Sequence, residues 1–550
     1  PAYGRTYDES HASPLRGIDR TNVRRLGLAW SLDVPDVHNG ATVPLAVDGV
    51  LYFTVGQSLV HAVDAASGRL LWRFDPDVAK VAGRKLRYTW GPRGIAFWKG
   101  RVYVGTTDGR LIAIDARTGR EAWSVLTVGR DDALTITGPP RVFRDLVVIG
   151  NAGSEWGPSR GYVTAYDAAT GAQKWRFHVI PGNPADGFES AAMAMAAKTW
   201  TGDWWNRGGG GQVWNAITYD PEFDRVYLGT GNGGPWNQKV RSPGGGDNLF
   251  LCSIVALDAR TGEYVWHYQT VPGETWDYNS AMDIQLATLT IDGAPRKVIL
   301  HAPKNGFFYV LDRATGRPIS AEKFAKVTWA ERIDLATGRP VENPAARFDD
   351  GEELVWPSTL GAHNWQPMSW NRWTGLVYIP TLAMPGLFSD RTIDRATWRA
   401  KPSELNTGLD VGTGDAPENA GTSALLAWDP LRQRKVWEVA TPGFWNGGTM
   451  TTAGGLVFQG LADGRFNAHD AATGELLWSY DAKMGISGAP ITYEANGRQH
   501  VSVVVGWGAA GPAYLGSLTA QHGWQARTHP HRVLTFVLDG RPQLPPTPPP

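Results

Sequence analysis

The sequence predicts an all-β chain folded as an eight-bladed β-propeller with tryptophan-docking repeats, its ring closed by N- and C-terminal strands. Three observations support this: a recurring Ala-x-Asp-x-x-Thr-Gly-x-x-x-Trp segment, an apolar strand pair ahead of most copies, and a composition rich in turn and packing residues. Glycine occurs 66 times and tryptophan 26 times in 550 residues, which suits many tight turns and a repeated aromatic packing device.

The repeat runs in order as HAVDAASGRLLW (Asp64, Trp72), IAIDARTGREAW (Asp115, Trp123), TAYDAATGAQKW (Asp167, Trp175), VALDARTGEYVW (Asp258, Trp266) and NAHDAATGELLW (Asp470, Trp478). Two degenerate copies fill the gap: YVLDRATGRPIS around Asp312 has lost the Trp, and LAWDPLRQRKVW around Asp429 keeps it. Alternating apolar residues before each Asp read as a half-buried strand, and the Asp and Gly supply the turn. The Trp then lies on the outgoing strand, free to dock against the next unit. Further apolar strands, such as GVLYFTVG, DLVVIGNA and GLVFQGLA, precede the copies.

Seven units are counted this way, and an eighth starts at HVSVVVGWG and continues in RVLTFVLDG. The N-terminal LGLAWSLDV has no partner of its own, so it is expected to complete that last blade and remove the exposed sheet edges. Insertions 176–212 and 380–422 are expected as loops over one face. The tail RPQLPPTPPP, residues 541–550, is expected as a stiff linker outside any sheet, leaving 1–540 as one domain.

Lysine plus arginine and aspartate plus glutamate both number 53, so no net charge suggests nucleic acid or an anionic membrane as partner. No run of about 18 apolar residues suggests a membrane span. The single cysteine, Cys252, excludes an intrachain disulfide, and its apolar neighbours place it in a core strand. No Cys-x-x-Cys-His occurs, so this chain cannot carry a c-type haem in the usual way. The first residue is Pro1, which leaves a removed signal peptide and a cytosolic chain both open.

The repeats define a scaffold and no chemistry, so function must come from elements that break them. The third unit interrupts its hairpin with GNAGSEWGPSRGYVTAYD, which carries Glu155. The fourth carries GTGNGGPWN, with Asn232, and PGETWDYNSAMDIQL, with Asp277, lies between the fourth and fifth. Two carboxylates and an amide oxygen are hard donors of the kind calcium takes. Taken singly each is a turn-former; together, on loops of neighbouring units, they point to a site.

Over nearly its whole length the chain resembles the PQQ-dependent (pyrroloquinoline quinone) alcohol dehydrogenases, an eight-bladed family. The resemblance is closest to the dehydrogenase domain of the quinohaemoprotein alcohol dehydrogenases, through RSPGGGDNLFL, HAPKNGFFYVLDR, GAHNWQPMS and WNGGTMTTAGGLVFQG. It implies a periplasmic enzyme that oxidises primary or secondary alcohols with PQQ and calcium and passes electrons to a cytochrome c or another external acceptor. Glu155, Asn232 and Asp277 fall on the family's calcium ligands, with Asp277 also the catalytic base. Trp214 falls on the floor beneath the quinone. Arg93, Thr137, Gly153, Ser154, Gln212, Lys304, Asn364, Trp365, Trp507 and Gly508 fall on cofactor contacts. These types suit a planar tricarboxylate, which stacks on aromatic faces and takes hydrogen bonds from cations, hydroxyls and backbone N–H groups.

The sequence also departs from the family. Arg87 and Tyr88 stand where many relatives have adjacent cysteines, Ala41 where a glutamate is expected, and Gln212 where a threonine is usual. Lanthanide-using relatives carry an acid two residues after the catalytic aspartate; this chain has Asn279, which favours calcium. Haem-containing relatives append a cytochrome domain, so electrons pass either to such a domain or to a separate carrier. The competing reading is a cofactor-free propeller that serves as an assembly scaffold. It offers no reason for Glu155, Asn232, Asp277, Trp214 and Lys304 to coexist. Specificity is expected in 380–422 and near Trp276 and Trp365.

Overall fold

A computed structural model describes residues 3–34, 39–86, 90–349, 351–401, 404–412, 420–443, 445–507 and 531–544. Eight blade sheets follow one another along the described residues, seven of four antiparallel strands and one, blade 7, of four with the N-terminal pair Ala12–Ser13 added in parallel. Blade 1 comprises Leu45–Val47, Val50–Val55, Leu59–Asp64 and Leu70–Phe74. Blades 2 to 7 repeat that order, beginning at Ala96, Arg141, Ile217, Ile284, Ser369 and Thr449. Blade 8 takes Ile491–Ala495, Arg498–Val505 and His531–Leu538 from the C-terminal part and Leu26–Val34 from the N-terminal part. Leu26 pairs with Leu538 and Val34 with His531, so the N-terminal strand closes the ring as the sequence predicts.

Each gap between successive blades holds its own apolar core. Leu51 and Phe53 of blade 1 pack with Val504 and Val533 of blade 8, and Val60 and Ala62 pack with Val102 and Ile112 of blade 2. The series ends with Phe458 and Phe466 of blade 7 against Val503 and Phe536 of blade 8.

The repeat motif supplies the docking device. Asp115 Oδ1 accepts the N–H groups of Arg117 and Thr118 and the Thr118 hydroxyl, which shapes the turn. Gly119 sits at φ +70°, and a Cβ there would lie 2.7 Å from the Trp72 ring of the preceding blade. Glycine is thus required both for the left-handed turn and for the close approach of the neighbour's tryptophan. The Trp72 indole N–H completes the dock by donating to the Ala116 carbonyl at 2.9 Å. Trp30, Trp123 and Trp437 donate in the same way to Ala65, Ala168 and Ala471 of the following blades. Blade 5, whose repeat lacks the tryptophan, still forms through Pro318–Lys323.

The insertions hold more regular structure than the expected loops. Ala191–Ala197 and Trp204–Arg207 are helical, and Gly386–Ser389 and Asp410–Gly412 form a small sheet with Glu352–Val355. The helices bury Met193, Ala196 and Trp204, and the small sheet buries Val355 and Phe388, contacts that the strand pattern alone does not reveal. The tail also differs at its start: Arg541 exchanges backbone hydrogen bonds with Leu28, so the chain stays tied to blade 8 through that residue. Residues 545–550 lie outside the described residues, as do Arg87 and Tyr88.

The N-terminal segment crosses the ring's centre. Its backbone bonds to Leu286, Trp370 and Thr451, on the innermost strands of blades 5, 6 and 7. Buried Glu9 pairs with buried Arg141 on the innermost strand of blade 3.

Candidate active site

In a blade of four antiparallel strands, the hairpin between the second and third strands and the connection to the next blade emerge at the same end. The Asp-Thr-Gly turns emerge at the other. Every element that breaks the repeat belongs to the first end. Glu155 lies in the blade 3 hairpin between Ile149 and Tyr162, Asn232 in that of blade 4, and Lys304 in that of blade 5. Arg93, Thr137, Trp214, Asp277 and Trp365 lie on successive blade-to-blade connections. They converge on a cavity of about 450 Å³.

All of the expected site residues except Trp507 and Gly508 line that cavity. Trp507 packs just behind it, in the apolar cluster that also holds Trp365 and Trp445. Gly508 lies outside the described residues. Trp276 points elsewhere: it is fully buried between blades 4 and 5 and donates to the Ala346 carbonyl, so it does not border the cavity as expected. Cys252 is not in a strand as expected but in the turn just before Ser253–Asp258; it is buried all the same, donates to the Tyr278 carbonyl, and has its thiol pKa pushed up by burial.

The oxygen donors meet on one wall. Glu155 Oε1 accepts from Ser154 Oγ at 2.7 Å, Asn232 Nδ2 at 2.9 Å and the Trp236 indole at 3.2 Å. Lys304 Nζ donates to Asp277 Oδ2 at 2.9 Å and to the Asp277 carbonyl at 3.0 Å. Asp277 holds a left-handed backbone, φ +61°, which is uncommon for a residue with a side chain and recurs where function fixes geometry. Burial pushes its carboxyl up to about 8; Lys304 opposes this, while Glu155 and Glu274 add to it.

Asn279 ties this wall to the floor. Its Oδ1 accepts from the Trp214 indole at 2.9 Å and from the Asn232 backbone N–H at 3.1 Å, and its Nδ2 donates to the Asp277 carbonyl at 2.8 Å. One amide thus fixes the aromatic floor against two of the donors.

The chemistry of the cavity fits an anionic aromatic cofactor. Arg93 is buried, and among the described residues the acceptors it touches are neutral: Asn215 Oδ1, Thr137 Oγ1 and the Trp214 carbonyl. Burial lowers its pKa to about 10, so an anion beside it would relieve a real cost. Its guanidinium also lies 5.0 Å from the Trp214 ring centre and 5.5 Å from that of Trp365. Gln212 Oε1 is buried without a hydrogen-bond partner and is open to a donor. The wall also fits a divalent cation. Among the described residues no three His, Cys, Asp or Glu side chains cluster as a metal set. A cation here therefore depends on the Asn232 amide oxygen beside the two carboxylates, reached when that amide turns over.

Sequence reasoning missed much of the rim. Trp90, Trp156, Trp236 and Trp445 line the cavity, together with Leu360 and Leu405. The available signal was register: these tryptophans stand off the repeat position that docks blades. Leu405, 58% exposed, lies on the blade 6 insertion. The next residue, Asn406, pins that loop by donating to the Glu155 carbonyl from both its backbone and side-chain nitrogens.

A family model for the PQQ-binding β-propeller domain of glucose, ethanol and alcohol dehydrogenases matches residues 1–328 and 418–501. The chain belongs to the PQQ-dependent alcohol dehydrogenases. It is 51% identical to the quinohemoprotein alcohol dehydrogenase ADH IIB of Pseudomonas putida, across 100% of this chain and 79% of that protein. It is 42% identical to the 1-butanol dehydrogenase (cytochrome c) of Thauera butanivorans, across 98% and 78%. The solved quinohemoprotein alcohol dehydrogenase of Comamonas testosteroni superposes with a TM-score of 0.92 at 46% identity, covering 100% of this chain and 81% of that one. A europium-containing methanol dehydrogenase superposes at 0.88 and 31% identity, covering 98% and 97%.

Proposed function

We propose that this chain oxidises apolar primary or secondary alcohols to aldehydes or ketones in the periplasm, with Asp277 as general base, PQQ and calcium as cofactors, and a cytochrome c as acceptor. The observation that carries the reading is the Asp277–Lys304 pair, set on the wall of a tryptophan-lined cavity beside Glu155 and Asn232. Glu155, Asn232 and Asp277 would hold the calcium. Trp214 would lie under the ring, with Arg93, Thr137, Gly153, Ser154, Gln212, Lys304, Asn364 and Trp365 around its polar edge and Trp507 behind.

When bound, the quinone supplies two-electron redox chemistry and calcium a Lewis acid beside it. The protein supplies the proton transfer. Lys304 holds Asp277 Oδ2, leaving Oδ1 with a single long bond from Asn279 at 3.3 Å. Oδ1 is therefore the atom free to take the alcohol's hydroxyl proton. A base needs its ionised form, and a cation held by Asp277 and Glu155 would oppose the repulsion and burial that favour the protonated one. Leu405, Trp156 and Trp236 give the mouth an apolar wall, which suits an alkyl chain better than a polyol. Similarity to the 1-butanol dehydrogenase (cytochrome c) of Thauera butanivorans supports 1-butanol as probe and cytochrome c as acceptor.

The test is reconstitution of the apoprotein with PQQ and calcium, followed by dye reduction with ethanol, 1-butanol and bulkier secondary alcohols. Alcohol-dependent reduction, strongest with apolar chains, is expected. No reduction with any alcohol, and no quinone absorbance left after desalting, would leave the scaffold reading in its place.

A further inference from the structure

Glu274 is fully buried, yet among the described residues it neither lines the cavity nor forms an ion pair through its carboxylate. Instead each carboxylate oxygen accepts one backbone N–H: Oε2 that of Gly233 and Oε1 that of Tyr278, both at 3.0 Å. These are the peptide groups directly after Asn232 and Asp277. The two donors sit on separate segments, the blade 4 hairpin and the connection to blade 5, and no sheet register fixes the distance between them. Glu274 itself is held by Arg241, also fully buried, whose guanidinium donates to the Glu274 carbonyl and to those of Pro235 and Trp236.

We propose that Glu274 is a positioning residue that sets the spacing of Asn232 and Asp277 and thereby the affinity for the divalent cation. This rests on the reading of Glu155, Asn232 and Asp277 as its ligands. The physical reason is that a carboxylate has acceptors at both ends and can draw two N–H groups toward one point. A glutamine has one acceptor, and its amine end would face an N–H and push that strand away. The partners that orient metal ligands typically change affinity by 10–100-fold when altered.

The test is calorimetric titration of the metal-stripped full chain with calcium chloride, with and without PQQ, in wild type, E274Q, E274D and D277N. Glu274→Gln is expected to weaken calcium binding by about 10–100-fold, with turnover recovering at saturating calcium. Glu274→Asp, which keeps both acceptors on a shorter arm, is expected to fall between. A purely structural role would lower the melting temperature without moving the calcium affinity, and that result overturns the proposal. Turnover in E274Q that no calcium concentration restores does so too. Should E274Q fail to fold, unchanged affinity in E274D decides against it. A wild type whose calcium binding matches that of D277N removes the ligand assignment itself, and the proposal with it.

Discussion

Asp283, six residues beyond the proposed base, should make the fold measurably less stable as pH rises through neutrality. Its side chain is buried, 6% exposed, and Oδ2 accepts the Met368 N–H at 2.9 Å. Burial, with the nearby Glu9 carboxylate, pushes its carboxyl from 3.8 up to about 7, against the Met368 bond and the Arg141 charge. In the unfolded chain the group ionises near 3.8, while the folded chain keeps its proton to about 7. Between those values the native state binds the extra proton, so its stability falls as pH rises, by about 1.4 kcal/mol per unit. From pH 5 to 7 the loss is about 2 kcal/mol, because the slope is already halving as pH reaches the folded value; above about 8 it levels off. At about 2.1 cal/mol/K of unfolding entropy per residue, 550 residues carry about 1.2 kcal/mol/K, so this corresponds to about 2 °C. Asp283→Asn keeps an acceptor for Met368 and removes the titration. Its own desolvation cost is independent of pH and drops out of the slope. Melting curves of both proteins from pH 5 to 9 should give a difference that moves about 2 °C in the variant's favour and then flattens. A difference that stays constant across that range would show that Asp283 does not hold its proton in the native state.

Asp277→Asn retains an acceptor for Lys304 and should fold and load with PQQ, but lose about 10²–10⁴-fold in turnover; full activity of the loaded variant would remove Asp277 as the base. Arg93→Leu should weaken PQQ binding by about 10–100-fold, since a charge-assisted hydrogen bond to a carboxylate is worth about 1.5–3 kcal/mol. The readout is quinone absorbance retained on desalting. Leu405→Ala should raise KM for 1-butanol by about 3–10-fold, with kcat nearly unchanged, because a rim leucine contributes apolar contact in ground and transition states alike. Ethanol, too short to reach the rim, should be affected much less.

The ring was legible because its signal is periodic. Asp115, Gly119 and Trp72 act through local rules that return with the same spacing inside each copy, however far apart the copies lie: a side chain that shapes its own turn, a position with no room for a Cβ, and a ring that fills it. The donors Glu155, Asn232 and Asp277 were legible by their departure from that period and by family resemblance. The tertiary path of the insertions was not. Nothing in the local sequence says that Leu405 reaches the cavity, since this follows from Asn406 reaching a carbonyl about 250 residues away. Nor does Trp276, one residue before Asp277, announce that it turns into the core between blades 4 and 5. Adjacent residues face opposite environments here, and only packing decides which.

The propeller separates stability from chemistry by the ends of its blades. The Asp-Thr-Gly turns shape one end of the blades, and docked tryptophans such as Trp30, Trp72, Trp123 and Trp437 bond there to the following blade, so the opposite ends are free to vary without loosening the ring. That freedom carries a cost, because groups on independent loops have no ladder to fix their mutual distances. The site meets it with side chains that bond across or along the loops, mostly to backbone: Asn279 to the Trp214 indole and the Asn232 and Asp277 backbone, Glu274 between the Gly233 and Tyr278 N–H groups, and Asn406 on the Glu155 carbonyl. Each of these does for the loops what strand pairing does for the blades. Changes at these three positions should therefore move the geometry of the donors, and with it metal affinity and turnover, more than the stability of the ring.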